Sequence, residues 1–501
     1  MTELSLRDIQ YTYAALKKDV SEACHMGDYV RVDRLLGNIS SLVCQYNWRY
    51  SDPELDEAIA TVSKHVCSSA INPSVANPKR VVFYDKFGTT YVLAVQYLIA
   101  LAKAGYEVLY ILCDNNHGAT AQQTPILEHL RPYHNITTIQ IDGKKSRFEK
   151  AQEIYRLTCE FAPEKLFVHT SSYTTFNYVL PSIGKECMKY YIDLGDHNFW
   201  FGAGHVDYVL PYRQFGATID FEKRGFRREQ ILLMPYYPCI VKREFAGFPV
   251  NTDGKVVLFT GGDYYKTIDK DNTYWTLLRE LVARYPNLLV LYAAKNISSK
   301  EQERLNAFLA EKDYASRMVN IGFRADINEV FQHIDIFMGT CPMSGGLMTQ
   351  YAAINHKPIL QFYPEWLNTN NETEQVLDYN AQPSISTSDK VAFFMEAEKL
   401  INDREYRTKR GEELYNAIIK PEEFDDLLMR TIRSNETQIP LRFYAIQYDA
   451  LVEWWLMIDK SGVLDGLGYC YGLLRKYHTL NRVVCKYQFR RAIRKIKRIK
   501  G

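Results

Sequence analysis

Val319-Asn-Ile-Gly-Phe-Arg324, Asp335-Ile-Phe-Met-Gly-Thr-Cys-Pro-Met-Ser-Gly-Gly-Leu-Met348 and Lys357-Pro-Ile-Leu-Gln-Phe362 decide how this chain of 501 residues is read. Together they spell strand, short helix, strand, Gly-Gly turn, helix, strand. Gly345 and Gly346 stand where a helix starts, after Ser344 and before Thr349. A helix start offers unpaired N–H groups and the positive end of the dipole, which suit a phosphate. Glycine lets that backbone approach a ligand closely. A turn of this kind at the carboxyl end of a parallel strand is where open α/β sheets bind ligands. Taken alone, Ser-Gly-Gly also fits an ordinary helix cap.

Moving outward, the same alternation begins at Lys255-Val-Val-Leu-Phe-Thr260, followed by the loop Gly261-Gly-Asp-Tyr-Tyr-Lys266. Helix 273–285, strand 288–293, helix 299–312 and strand 318–321 lead into the quoted stretch. An earlier α/β unit starts at Val81-Val-Phe-Tyr84, with the loop Asp85-Lys-Phe-Gly-Thr-Thr90, helix 91–104 and its stop at Gly105. Strands 107–113, 137–141, 165–169, 190–194 and 205–210 continue it, with a helix at 147–162. Prolines 235, 238 and 249 with Gly247 mark the joint between the units. Residues 4–70 show only helical periodicity. There Ser51-Asp-Pro-Glu reads as a helix start with proline just inside the cap, and Asn72–Pro78 as a linker. The expected parts are therefore a helical segment (1–75), two Rossmann-like α/β domains (76–245 and 246–420) and C-terminal helices (421–501).

The stretch from Gly322 to Ile359 resembles the donor half of the GT-B glycosyltransferases, and the loop Gly195-Asp-His-Asn-Phe-Trp-Phe-Gly202 is similar to loops of those that build bacterial surface polysaccharides. The resemblance implies two Rossmann-like domains facing across a cleft, with a nucleotide-sugar as substrate and no cofactor. It places Ser344, Gly345, Gly346 and Thr349 around the donor diphosphate, with Gly261 and Gly262 beside it and Lys266 and Arg324 as candidate cations. A cationic clamp and helix N–H groups stabilise a departing diphosphate without a metal. Read without the resemblance, Lys266 is a surface lysine and Gly261-Gly262 a tight turn. Glu374-Gln375 follows strand 357–362, as the sugar-reading acid-Gln pair does in plant-type transferases, at a longer spacing. Retaining enzymes of this fold carry two glutamates whose places fall here on Met343 and Tyr351, which favours inversion.

Inversion needs a base for the acceptor hydroxyl, within hydrogen-bond reach. Three residues compete: Asp85 after the first strand, His117 in Asp114-Asn-Asn-His-Gly118, and His197 in Gly195-Asp-His-Asn-Phe-Trp-Phe-Gly202. Asp193 or Asp196 could orient His197, and Trp200 could stack on a sugar. Trp454, Trp455, Leu456 and Ile458 are expected in a terminal brace against the N-terminal domain. Asp269 and Asp271 have Asp-x-Asp spacing but read as the approach to a helix, so no metal site is expected.

Residues 475–501 hold eleven Lys or Arg and no Asp or Glu, with Phe489, Ile493 and Ile496 on one helical face. This basic amphipathic pattern suits an anionic membrane. No recognition motif points to nucleic acid, and a net charge of +2 gives no general attraction to it. Ten cysteines without CxxC pairing fit reduced thiols, and neither a signal peptide nor a spanning segment is expected. The sequence thus leads to a cytoplasmic glycosyltransferase, peripheral on the inner face of the cell membrane, with a glycan or lipid-linked acceptor. A protein glycosyltransferase, a silent partner subunit and a nucleotide-sugar epimerase remain as alternatives.

Overall fold

The computed structural model describes residues 5–67, 76–87, 93–114, 125–293, 299–310, 316–367 and 371–461. His117, Gly88, most of the 72–78 linker and the basic tail lie outside the described residues.

Three amphipathic helices open the fold: α1 (Leu6–His25), α2 (Tyr29–Tyr46) and α3 (Pro53–Val66). Asp52 caps α3 by accepting from Glu54 N, with Pro53 just inside, as the sequence indicates. The first sheet contains β1 (Asn77–Asp85), β2 (Glu107–Leu112), β3 (Ile136–Gln140), β4 (Pro163–His169), β5 (Met188–Asp193) and β6 (Tyr208–Pro211). Its helices are α4 (Ala94–Lys103), α5 (Pro125–Leu130), α6 (Arg147–Phe161) and α7 (Gln214–Lys223). The strands are parallel in the order β3-β2-β1-β4-β5-β6. Side chains alternate along β1. Val82 and Tyr84 join the core of α1–α3 and α6, while Val81 and Phe83 join the core of α4. Cover on both faces explains why these strands read as continuous apolar runs.

The second sheet contains β7 (Val256–Gly261), β8 (Leu288–Ala293), β9 (Met318–Asn320), β10 (Ile336–Met338), β11 (Ile359–Phe362) and β12 (Ser386–Thr387). Around it lie α8 (Thr273–Arg284), α9 (Ser299–Leu309), α10 (Ile327–Gln332), α11 (Gly346–Ile354), α12 (Asn371–Gln375), α13 (Lys390–Asn402) and α14 (Arg404–Ala417). Its order, β12-β11-β10-β7-β8-β9, is that of the first sheet read from the other edge. Each sheet thus reverses direction beside its first strand, and ligands bind at the carboxyl ends at that point. This is the expected pair of Rossmann-like domains. They meet through Gln375 Oε1, which accepts from Phe215 N at 2.7 Å, and Gln350 Nε2, which donates to Tyr236 O at 2.6 Å.

Two final helices return across the molecule, α15 (Pro421–Ser434) and α16 (Tyr448–Ser461). Phe424, Leu427 and Leu428 of α15 bury themselves in the α4 core and brace the N-terminal domain, a role expected of residues 454–458. The tryptophans of α16 do something else. Trp454 and Trp455 pack with Tyr265, Ile268 and Met343 of the second domain, and Trp454 Nε1 donates to Ile268 O at 2.9 Å. Leu456 packs on the N-terminal core, so α16 spans both domains. Among the described residues no helix is long and apolar enough to cross a membrane, and the eight described cysteines are unbonded.

Candidate functional site

The loop after β7 is shaped by two glycines. A Cβ on Gly261 would lie 1.9 Å from Ala293 O, so only glycine fits there. Gly262, at φ 152°, donates its N–H to Ala293 O at 3.0 Å. This close turn sends the chain over the sheet end to Lys266, whose Nζ donates to Ser344 O at 3.5 Å. In the reverse direction, Met343 N donates to Lys266 O at 3.3 Å. The two loops that the sequence singled out are therefore strapped together. Gly345 caps α11 and offers no side-chain oxygen to the first N–H groups of that helix. A cavity of about 580 Å³ opens between the domains, lined by Gly261, Gly262, Lys266, Arg243, Phe323 and Tyr351 among others.

A smaller cavity of about 130 Å³ adjoins it through Lys266. Ser344, Gly346 and Met343 line it from the second domain, His197 and Tyr212 from the first, and Trp455 from α16. His197 is 41% exposed and its Nδ1 lies 3.3 Å from Asp196 Oδ1. Asp196 is fully buried and gripped by Arg213 through Nε at 2.6 Å and Nη2 at 2.9 Å. Burial alone would raise this carboxyl, but Arg213, with His197 beside it, holds it well below the usual carboxylate range. Arg224 pins the same loop by donating to Asp196 O and Asn198 O, at 2.8 and 2.7 Å. Asp193 belongs to this buried network, bonded to Arg224 at 2.8 Å, and burial pushes its carboxyl well up. Asp196, not Asp193, orients the histidine.

Several expected site residues have other work. Trp200 is 2% exposed and stacks on Tyr191 at 3.8 Å, so it is core and meets no sugar. Asp85 is fully buried, accepting from Tyr110 Oη at 2.6 Å and Phe87 N at 2.8 Å and facing His169 Nδ1 at 3.0 Å, out of reach of an acceptor hydroxyl. Arg324 lines the larger cavity, but its guanidinium is committed to Asp326 and to Gly247 O at 2.7 Å. Thr349 is 1% exposed and bonds back to Gly345 O at 3.2 Å. Glu374 Oε1 accepts from Ile385 N, Ser386 N and Ser386 Oγ, all at 2.8 Å, and so ties α12 to β12. Gln375 makes the interdomain bond to Phe215 N at 2.7 Å. Asp269 accepts from Thr273 N at 2.9 Å, which is the helix approach expected of it. Met343 and Tyr351, at the places of the missing glutamates, face the smaller and the larger cavity respectively.

The structure adds residues that sequence reasoning passed over. Arg243, exposed in the Pro-rich joint, lines the larger cavity and was hidden among linker residues. Asn47 and Tyr50, from the turn after α2, line the smaller one, and nothing in a helical periodicity points to them. His169 at the end of β4 is 1% exposed and its Nε2 has no hydrogen-bond partner. Among the described residues no cluster of His, Cys, Asp and Glu could hold a metal ion.

No protein-family model matches this sequence, and no curated protein does. Solved structures of similar shape include a candidate UDP-N-acetylglucosamine 2-epimerase from Listeria monocytogenes, at 13% identity over 73% of this chain and 100% of the other, with a TM-score of 0.49. The O-GlcNAc transferase of Thermobaculum terrenum, at 11% identity, covers 93% of this chain and 99% of its own with a TM-score of 0.46. Anabaena HepE in complex with UDP and glucose matches at 12% identity over 71% of this chain and 100% of its own, with a TM-score of 0.46. Likenesses this distant concern the fold alone; the two-domain plan rests on the strand orders above.

Proposed function

We propose that this protein is an inverting, metal-independent glycosyltransferase that moves a hexosyl group from a nucleotide-sugar to a hydroxyl of a glycan acceptor. One observation carries the reading. His197 from one domain and Lys266, Ser344 and Gly346 from the other line a single small cavity, which opens beside a larger one suited to a nucleotide.

The chemistry follows from the placement. The acceptor oxygen attacks C1 of the donor sugar while the C1–O bond to the diphosphate breaks. His197 takes the acceptor proton as general base, and Asp196 holds its ring. Negative charge grows on the leaving diphosphate, and Lys266 with the N–H groups at the start of α11 stabilises it. Non-carboxylate residues at 343 and 351 fit a single displacement with no covalent intermediate. The basic tail, 475–501, would hold the enzyme on an anionic membrane where a lipid-linked acceptor is presented, each cation contributing about 1 kcal/mol. The N-terminal helices reach the smaller cavity through Asn47 and Tyr50, which favours a protein acceptor as the second reading.

The test is nucleotide binding to the wild type and to Gly346→Val. A Cβ at Gly346 would lie 3.3 Å from Val376 Cγ1 and 3.8 Å from Tyr236 Oη, so valine crowds the space beside the helix start. Nucleoside diphosphates at about 100 times their dissociation constant should stabilise the wild type by about 2.7 kcal/mol. The variant should fold and show no such shift, and wild-type turnover should survive EDTA. Equal nucleotide affinity in both proteins would sink the reading.

A further inference from the structure

Asn47 follows α2 in the left-handed conformation, φ 46° and ψ 43°, and its N–H closes the helix on Val43 O at 2.8 Å. Asparagine is a common choice for such a cap. That role explains the backbone but not the side chain. Asn47 is 2% exposed, its Oδ1 is buried without a hydrogen-bond partner, and the residue lines the smaller cavity with His197, Lys266, Ser344 and Trp455. A buried amide oxygen left unpaired is costly, and native structures keep such groups mainly where a ligand or water completes them.

The turn is not loosely attached. Tyr50 O accepts from Trp200 N at 3.3 Å, within the segment that carries His197. Cys44 Sγ, one helical turn earlier, donates to Phe199 O at 3.7 Å. Helix α2 and the His197 loop are thus one body, and the amide is held at a fixed place relative to the base.

Resting on the nucleotide-sugar reading, we infer that Asn47 is a sugar-reading residue: its Oδ1 accepts a hydrogen bond from a hydroxyl or acetamido N–H of the donor hexosyl ring. The N-terminal helices then form a wall of the donor subsite, in addition to covering the first sheet. The nucleotide occupies the larger cavity, which Asn47 does not line, and the diphosphate is held from the second domain by Lys266 and the start of α11, so neither should sense this residue.

The decisive variant is Asn47→Gly. Glycine adopts the left-handed cap without strain, so a purely structural role predicts a benign change. Affinity would be titrated for UDP and GDP and for UDP-glucose, UDP-N-acetylglucosamine and GDP-mannose, without acceptor, and melting temperature recorded alongside. The expected result is unchanged diphosphate affinity with about tenfold weaker binding of the sugar-bearing form. Asn47→Asp, which keeps an acceptor oxygen and tolerates the same backbone, should recover most of it. Equal affinities in wild type and Asn47→Gly for every sugar nucleotide overturn the assignment. So does a parallel loss for diphosphate and sugar nucleotide, which marks a folding role. If no nucleotide binds the wild type, the underlying reading fails first, and that result is distinguishable from all of these.

Discussion

At the scale of single residues, His197 carries the sharpest consequence. It is the one candidate base among the described residues that lines the cavity facing Lys266 and Gly346. His197→Gln should lower turnover by about 10²–10⁴-fold, the usual contribution of a positioned base. Its diphosphate affinity should stay near wild type, because the phosphate contacts come from the other domain. A rate within threefold of wild type would move the role elsewhere. Residues of this kind differ in how far sequence betrays them. Gly261 could be read because a close backbone approach admits few side chains, so composition itself points to the geometry. Trp200 misled because a polar, aromatic loop looks alike whether its rings face a ligand or the core, and only the Tyr191 stack decides. Asn47 gave no signal at all. An asparagine that ends a helix is ordinary, and its amide matters only because tertiary packing brings the His197 loop against it.

At the scale of elements, the connector between the domains is held at its centre by the carboxylate of Asp326. Asp326 accepts from Ala246 N at 2.9 Å and pairs with Arg324, which also binds Gly247 O. Phe245 and Phe248 both lie beside that guanidinium, with centroids 5.6 Å away. The Arg324 hydrogen bond lowers the Asp326 carboxyl to about 2. A depressed carboxyl stabilises the fold above its unfolded value of about 3.9 and loses that contribution as pH falls through its folded value. Asp326→Asn should therefore cost about 1.5–3 kcal/mol at pH 7 in chemical unfolding. The gap to wild type should narrow between pH 4 and pH 2, and a gap independent of pH would refute the linkage. Arg243 starts this same connector, so loosening it should also weaken nucleotide binding. Sequence showed the joint through its prolines, but the Arg324–Asp326 fork was read as a free cation because ion pairing depends on where the connector folds back. The strands and helices of both sheets were far more legible, since periodicity and turn residues are local properties.

At the scale of the molecule, α16 is the piece that belongs to neither half alone. Trp455 lines the cavity between the domains, and Leu451 of the same helix lines it too. Ending the chain after residue 447 leaves both sheets and α15 complete but opens that wall. Such a protein should still bind a nucleoside diphosphate and should show no transfer. Ending it after residue 474 removes only the basic segment. That protein should keep donor hydrolysis in solution while losing its hold on anionic vesicles, and in the intact protein the hold should weaken as salt rises. If the shorter truncation cosediments with vesicles as well as the full chain does, the tail is not the anchor.

The position of α16 also sets an order on manufacture. A ribosome delivers Asn47 first, His197 and Lys266 later, and Trp455 after all three. The cleft stays without one wall until α16 has been made. Under the proposed function, a chain stopped short of α16 binds donor without an enclosed place to transfer its sugar.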